Sequence, residues 1–332
     1  MQIERRALYT SLRMNWLLDP DIDVETWQVE DYREVSLPKL FERLNDLNIR
    51  LDNASFTAYA ENFDSPEELC DALTGEEEEE EDADGQAQDR VYLVLFEIWR
   101  RLLPEKPCLS IFCDELDHQI NLYDLEAVQS AEPLQDALAN LLTILEENVE
   151  AGGEPIAVFD SISSGCANDL ETFLCDFMAE QIDNENYSYA AELIEDFGEY
   201  ISDLKWLDFF RARILDHTDS MAAHQLVRQV IEETISDKDL EFNFQILAFL
   251  VQGGDKDVFV KLVEHSLPLL LTEEDLLDML TICIEFFHRL DAEKEEAALQ
   301  KLYDQRAYRL SENPLDPQDP HLAELVAILH RT

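Results

Sequence analysis

Two stretches place a carboxylate three residues ahead of an imidazole: Glu115-Leu116-Asp117-His118 and Glu285-Phe286-Phe287-His288. On a helix this spacing puts both groups on one face, and two such pairs are part of the ligand set with which carboxylate-bridged bundles hold a dinuclear metal centre. The pattern carries weight only if all four ligands turn inward. Glu285 and His288 share a helical stripe with Asp278 and Thr281, opposite the apolar stripe of Leu280, Cys283 and Phe287, so the expected place for this pair is the surface. Seven histidines in a glutamate-rich chain also produce such pairs by chance. A metal-dependent enzyme using Glu115, His118, Glu285 and His288 is therefore the second reading.

Other constellations fare less well. In Cys113-Asp114-Glu115-Leu116-Asp117-His118, ligand types recur at i, i+4 (Asp114 with His118, Cys113 with Asp117), but a cysteine between Phe112 and Leu116 reads as a small core residue. Ser163-Ser164-Gly165-Cys166, taken as a helix start, suggests an anion cradle or an activated thiol, which Asp160 and Asp169 oppose; a plain N-cap is the expectation. The acidic run after Gly75 tests as a calcium loop with Gly85 at position 6, which puts Glu80, Asp82 and Asp84 at positions 1, 3 and 5. Position 12 is then Val91, so the bidentate glutamate is missing. Phosphate-loop, dinucleotide, nucleophile-elbow and zincin motifs are absent. No catalytic residues and no cofactor are expected.

The elements that must position any site are helices. Only 8 glycines occur in 332 residues while 46% of residues are hydrophobic, a balance that suits long amphipathic helices with short joints. Helices are expected near 3–18, 38–50, 65–73, 90–103, 108–123, 132–150, 166–182, 188–201, 204–217, 221–235, 241–252, 256–271, 273–290, 292–310 and 320–331. Ser65-Pro66-Glu67-Glu68 and Thr272-Glu273-Glu274-Asp275 are capping signals, and Gly152-Gly153 and Gly253-Gly254 are stops. The expected fold is all-α, an array of antiparallel helix pairs with little or no sheet. Residues 1–73 form an N-terminal helical segment, 74–89 an acidic flexible loop and 90–332 the array. An internal duplication of 132–235 and 241–332 is expected from the recurring Gly-Gly, Asp-Leu and Ala-Ala signals. With Tyr189-Ala190-Ala191 echoing a small-residue position, the organisation resembles tetratricopeptide or HEAT-type arrays in architecture; the Trp-Leu-Gly-Tyr and closing Pro positions of the former are absent.

Charge is the feature that remains. The net charge is −51, spread evenly: 37 acids face 11 bases in residues 1–150, and 38 face 13 in the rest. Direct nucleic-acid binding is excluded, because phosphates need clustered Lys and Arg. From Pro107 through Leu204 there is no Lys or Arg in 98 residues holding 23 acids. Those carboxylates must repel one another, meet cations from distant helices, or await a partner. Arg5, Arg6 and Arg13 make the first helix a candidate to lie across the acidic middle.

The expected function is a non-catalytic, acidic interaction platform, an adaptor, chaperone or regulator, for a basic protein or peptide segment. Its candidate partner-binding residues are Asp114, Glu115, Asp117, Tyr189, Glu192, Glu195, Asp196, Glu199 and Trp206. A third reading is a salt-adapted structural protein, since Arg outnumbers Lys 16 to 8. Six scattered cysteines without a CxxC and no 20-residue apolar run suggest a cytoplasmic, non-membrane protein.

Overall fold

The computed structural model describes residues 5–75, 83–125, 127 and 130–331. Among them the fold is almost entirely helical, and the β pairing is a single isolated bridge between Thr272 and Pro314. The chain divides into two compact units, Met1–Leu174 and Cys175–Thr332. The boundary falls inside the first copy of the expected duplication, not at its joint.

The first unit contains α1 (Arg5–Leu18), α2 (Thr26–Val29), α3 (Leu37–Asp46), α4 (Asn53–Ala60), α5 (Pro66–Thr74), α6 (Ala83–Leu102), α7 (Leu109–Asp124), α8 (Glu132–Glu150) and α9 (Pro155–Ser163). Its core is built around α6. Every residue from Val91 to Trp99 is buried, so the helix is enclosed on all sides, as a run apolar all round requires. Tyr9, Leu40, Leu44, Phe56 and Leu69 from α1, α3, α4 and α5 pack around it. The one acid in that run, Glu97, is 2% exposed and held by Arg100 and Arg101.

α10 (Leu170–Asp183) carries the boundary, and the second unit continues with α11 (Tyr187–Phe197), α12 (Leu204–Asp216), α13 (Ser220–Thr234), α14 (Leu240–Gly253), α15 (Lys256–Ser266), α16 (Glu273–Arg289), α17 (Glu293–Asp304) and α18 (Pro320–Leu329). Consecutive helices pack as pairs, α12 on α13 and α16 on α17, while alternate helices stack, α12 on α14 and α14 on α16. This is the pattern of a helical-repeat array. Aromatic rings fill the layers: Phe259 stacks on Phe286 at 3.7 Å, and Phe209 meets Phe242 edge-on at 5.9 Å.

Local signals place most boundaries. Ser65 and Thr272 cap α5 and α16 through their hydroxyls, and Asp275 completes a capping box with Thr272. Gly152 ends α8 at φ +104, donating to Val149 O while Gly153 donates to Asn148 O, which is a Schellman stop. Gly153 has a different reason to be glycine, because a Cβ there would lie 2.4 Å from Val158 Cγ2 on α9 and 3.0 Å from Asn148 O, so the packing at this joint would have to shift. Gly152→Ala is expected to cost about 1 kcal/mol through the left-handed backbone alone. A denaturant midpoint unchanged from wild type would contradict this.

Three helices were not expected. α2 is a single turn, α4 has no clear apolar face, and α9 is a short run, Pro-Ile-Ala-Val-Phe, that follows the Gly-Gly stop. The acidic loop ends sooner than expected. Residues 76–82 lie outside the described residues, but 83–89 already belong to α6, so Asp84 through Val91 of the calcium register are helical. Ser163-Ser164-Gly165-Cys166 also departs from expectation. It closes α9 and does not open α10, with Cys166 N donating to Ser163 O. A helix C-terminus presents carbonyls, so the anion-cradle reading fails there.

Candidate functional site

The cation-free stretch meets its first cations where the N-terminal helix was expected to bring them. α1 packs on α7, and Arg6 Nε donates to Asp114 Oδ1 at 2.6 Å. Arg33, in the 3-10 turn Tyr32–Glu34, donates to Asp114 Oδ2 at 2.6 Å and to Glu115 Oε2 at 2.8 Å. The Arg6 guanidinium also lies 4.9 Å from the Phe96 ring centroid, which ties this ion cluster to the α6 core. Burial pushes the Asp114 carboxyl up, but Arg6 and Arg33 outweigh it and hold the group below the usual Asp range.

Asp117, one turn on, behaves oppositely. It is 1% exposed and accepts from Ala167 N at 2.7 Å and from Asn168 N and Nδ2 at 3.0 and 2.7 Å. Among the described residues no cation pairs with it, and burial raises its carboxyl above the usual range despite those bonds. Asp117 thus fastens the α9–α10 loop to α7. Asp114 and Asp117 were expected to face a partner; both are interior and occupied within the chain. Glu115 keeps part of its surface, bonded to Arg33 and Gln119.

The two expected metal-site pairs fall in different units. Glu115 and His118 belong to the first unit, Glu285 and His288 to the second. His118 is half-buried, and burial followed by the nearby Arg33 lowers its imidazole. Glu285 and His288 sit on the exposed stripe of α16 with Asp278 and Thr281, and His288 Nδ1 is 3.1 Å from Glu296 Oε1. Among the described residues no three His, Cys, Asp or Glu side chains converge as metal ligands would. Cys113 is buried with its thiol toward Ile162 O.

The remaining candidates lie in the second unit. Glu192 and Glu195 are exposed along α11 and Glu199 in the turn that follows it, and Asp196 is half-exposed. The Asp196 carboxyl is raised by partial burial and by Glu192 and Glu195. Tyr189 is half-buried edge-on to Phe177, and Trp206 spends one face on Phe242 at 4.9 Å, so both contribute to packing as well as surface.

The structure adds a feature that the sequence did not show. In the first unit, the start of α7 and the facing sides of α8 and α9 enclose a groove of about 820 Å³, a size typical of ligand and peptide clefts. Leu109 and Phe112, Ile144, and Val158 and Ile162 form its apolar walls, and Asn140 and Thr143 edge it. The Thr143 hydroxyl donates to Ala139 O and Asn148 Nδ2 to Ile144 O, so those polar groups are turned onto their own helix. At 100° per residue Asp136 and Glu147 fall on the same side of α8 as Asn140 and Thr143. Glu154, the residue before α9, lines the opening itself. The sequence held one hint: α8 carries Asn140, Thr143 and Ile144 opposite its buried Leu134, Leu138, Leu141 and Leu145, a second face of mixed character.

Among the described residues, no helix is long and apolar enough to cross a membrane. Compared with protein-family models, with curated proteins and with solved structures, the chain shows no significant match.

Proposed function

We propose that this protein is a non-catalytic, acidic platform that binds a basic protein or peptide segment, as an adaptor, chaperone or regulator would. The observation that carries the reading is uncompensated charge. Among the described residues, no cation lies within ion-pair distance of Asp136, Glu146, Glu147, Glu150 or Glu154 around α8 and α9, nor of Glu192, Glu195 or Asp196 on α11 or Glu199 just after it. Cations that do reach the acidic stretch go to other acids, among them Asp114 and Glu115 by Arg6 and Arg33, Asp183 by Arg213 and Asp203 by Lys205. What remains is a negative field that accelerates encounter with a positive partner and rejects acidic ones.

The test is capture on the immobilised full chain at low and at high ionic strength. Attraction of this kind reaches about 10 Å at 0.1 M salt and about 3 Å at 1 M. Basic proteins should therefore be retained at low salt and released as salt rises. Failure to retain any basic protein at low salt would sink the platform reading.

The excess of Arg over Lys, 16 against 8, favours a second reading, a structural protein adapted to salt. That protein would unfold when ionic strength is lowered, because screening is what permits its compact state. A platform stays folded on dilution and loses only its partner. Circular dichroism across a salt titration separates the two.

A further inference from the structure

We infer that the groove between α7, α8 and α9 seats one amphipathic helix of a basic partner, apolar on the face that enters and bearing Lys or Arg along its flanks. This inference rests on the platform reading and says where and how the partner is held.

Shape and chemistry of the groove both point to such an occupant. Its walls are Leu109, Phe112, Ile144, Val158 and Ile162, and Leu109 remains 38% exposed at the start of α7 with nothing covering it. A helix presents apolar side chains at i, i+3/i+4 and i+7, a row of about 10 Å, which is the form in which a groove between helices is usually filled. A peptide bound by strand addition would need a sheet edge, and the described residues contain no sheet.

Charge decides the flanks. Glu154 lines the opening, Asp136 and Glu147 fall on the same side of α8 as the lining residues Asn140 and Thr143, and none of α7, α8 and α9 contains a Lys or Arg. The nearest cation in sequence, Lys106, is turned away: its Nζ donates to Ala60 O and Glu61 O at 3.0 and 3.2 Å. A second copy of this chain is a poor occupant, because each copy carries −51 and would bring acids against acids.

The experiment uses the full chain and two synthetic 18-residue peptides of identical Leu and Lys composition. One has its leucines on a single helical face; the other has them scattered. Fluorescence anisotropy at low salt should show the ordered peptide binding at least about tenfold more tightly, since only it can fill the groove. Ala157→Trp, at an exposed lining position, should weaken that peptide by about tenfold by occupying the space. The surface pair Asp136→Lys/Glu147→Lys leaves the walls intact and should weaken it several-fold, which keeps the test open if Ala157→Trp misfolds. Equal binding of both peptides, or a preference that neither variant disturbs, would overturn the groove while leaving a general acidic platform standing. Binding of neither peptide at low salt would overturn the groove and count against the platform as well.

Discussion

Asp114→Ala is expected to lose about 3–5 kcal/mol of stability in the first unit, the usual consequence of removing one member of a buried ion cluster. The carboxylate is 4% exposed and satisfies two guanidiniums from elements far away in sequence, Arg6 on α1 and Arg33 in the turn before α3. Without it both cations stay in a poorly solvated site, Arg6 against Phe96 and Arg33 with Glu115 as its one remaining carboxylate. The α1–α7 contact should loosen, and amide exchange in α1 should rise towards that of an unpacked helix. Asp114→Asn keeps the shape and loses the charge, so most of the cost should persist.

The acid side of the stability curve supplies a second readout. Because the Asp114 carboxyl is held below its ordinary 3.8, its contribution is fully present above that value and disappears as pH falls through the lower, folded-state one. The Asn variant lacks this dependence and should approach wild type in strongly acidic solution. A urea midpoint for Asp114→Ala within about 1 kcal/mol of wild type at neutral pH would show that the cluster contributes little net stability.

Arg306→Met should have an effect of similar size in the second unit, about 3–5 kcal/mol. Arg306 is fully buried and ties three helix ends together. Its Nε and Nη2 donate to the two oxygens of Glu273, at the start of α16, at 2.8 and 2.5 Å. Its Nη1 reaches Asp319, the cap of α18, at 2.9 Å and His321 Nδ1 at 2.9 Å. A guanidinium can only donate, so His321 must offer an unprotonated Nδ1 to this contact. Methionine fills the volume but leaves Glu273 with Arg309 alone. Arg306→Lys should recover only part of the loss, since an ammonium cannot reproduce the planar, two-pronged pairing with Glu273.

For Glu273 and Asp319 burial acts upward, but bonds from Arg306, with Arg309 on Glu273 and His321 N on Asp319, bring both carboxyls below their ordinary 4.5 and 3.8. Their contribution therefore holds above those values and is lost as pH drops beneath them, so wild type and Arg306→Met should converge in acid. Trp206 is the single tryptophan of the second unit and its packing against Phe242 gives a local fluorescence signal for this unfolding. An Arg306→Met protein with an unchanged transition by that signal would contradict the clamp.

The sequence by itself determined the helices and the charge problem. Caps, apolar stripes and glycine stops act over three or four residues, so Ser65, Thr272 and Gly152 could be read directly. The absence of cations between Pro107 and Leu204 leaves distant helices as the source of pairing, and of the first helix's arginines Arg6 does meet Asp114, whereas Arg5 and Arg13 go to Asp89 and Asp31. α4 and α9 escaped notice because their short apolar runs lack a helical period of their own and depend on neighbours for burial.

Only the tertiary structure decided which carboxylates are interior. Asp114, Glu115 and Asp117 look alike in sequence, yet one is clamped by two arginines, one shares an arginine at the surface, and one binds backbone amides without any cation. Their partners lie 50 to 108 residues away, beyond any local signal. The groove has the same origin. Its walls come from three helices whose separate sequences read as ordinary amphipathic faces, and a cavity exists only where such faces meet without filling the space between them.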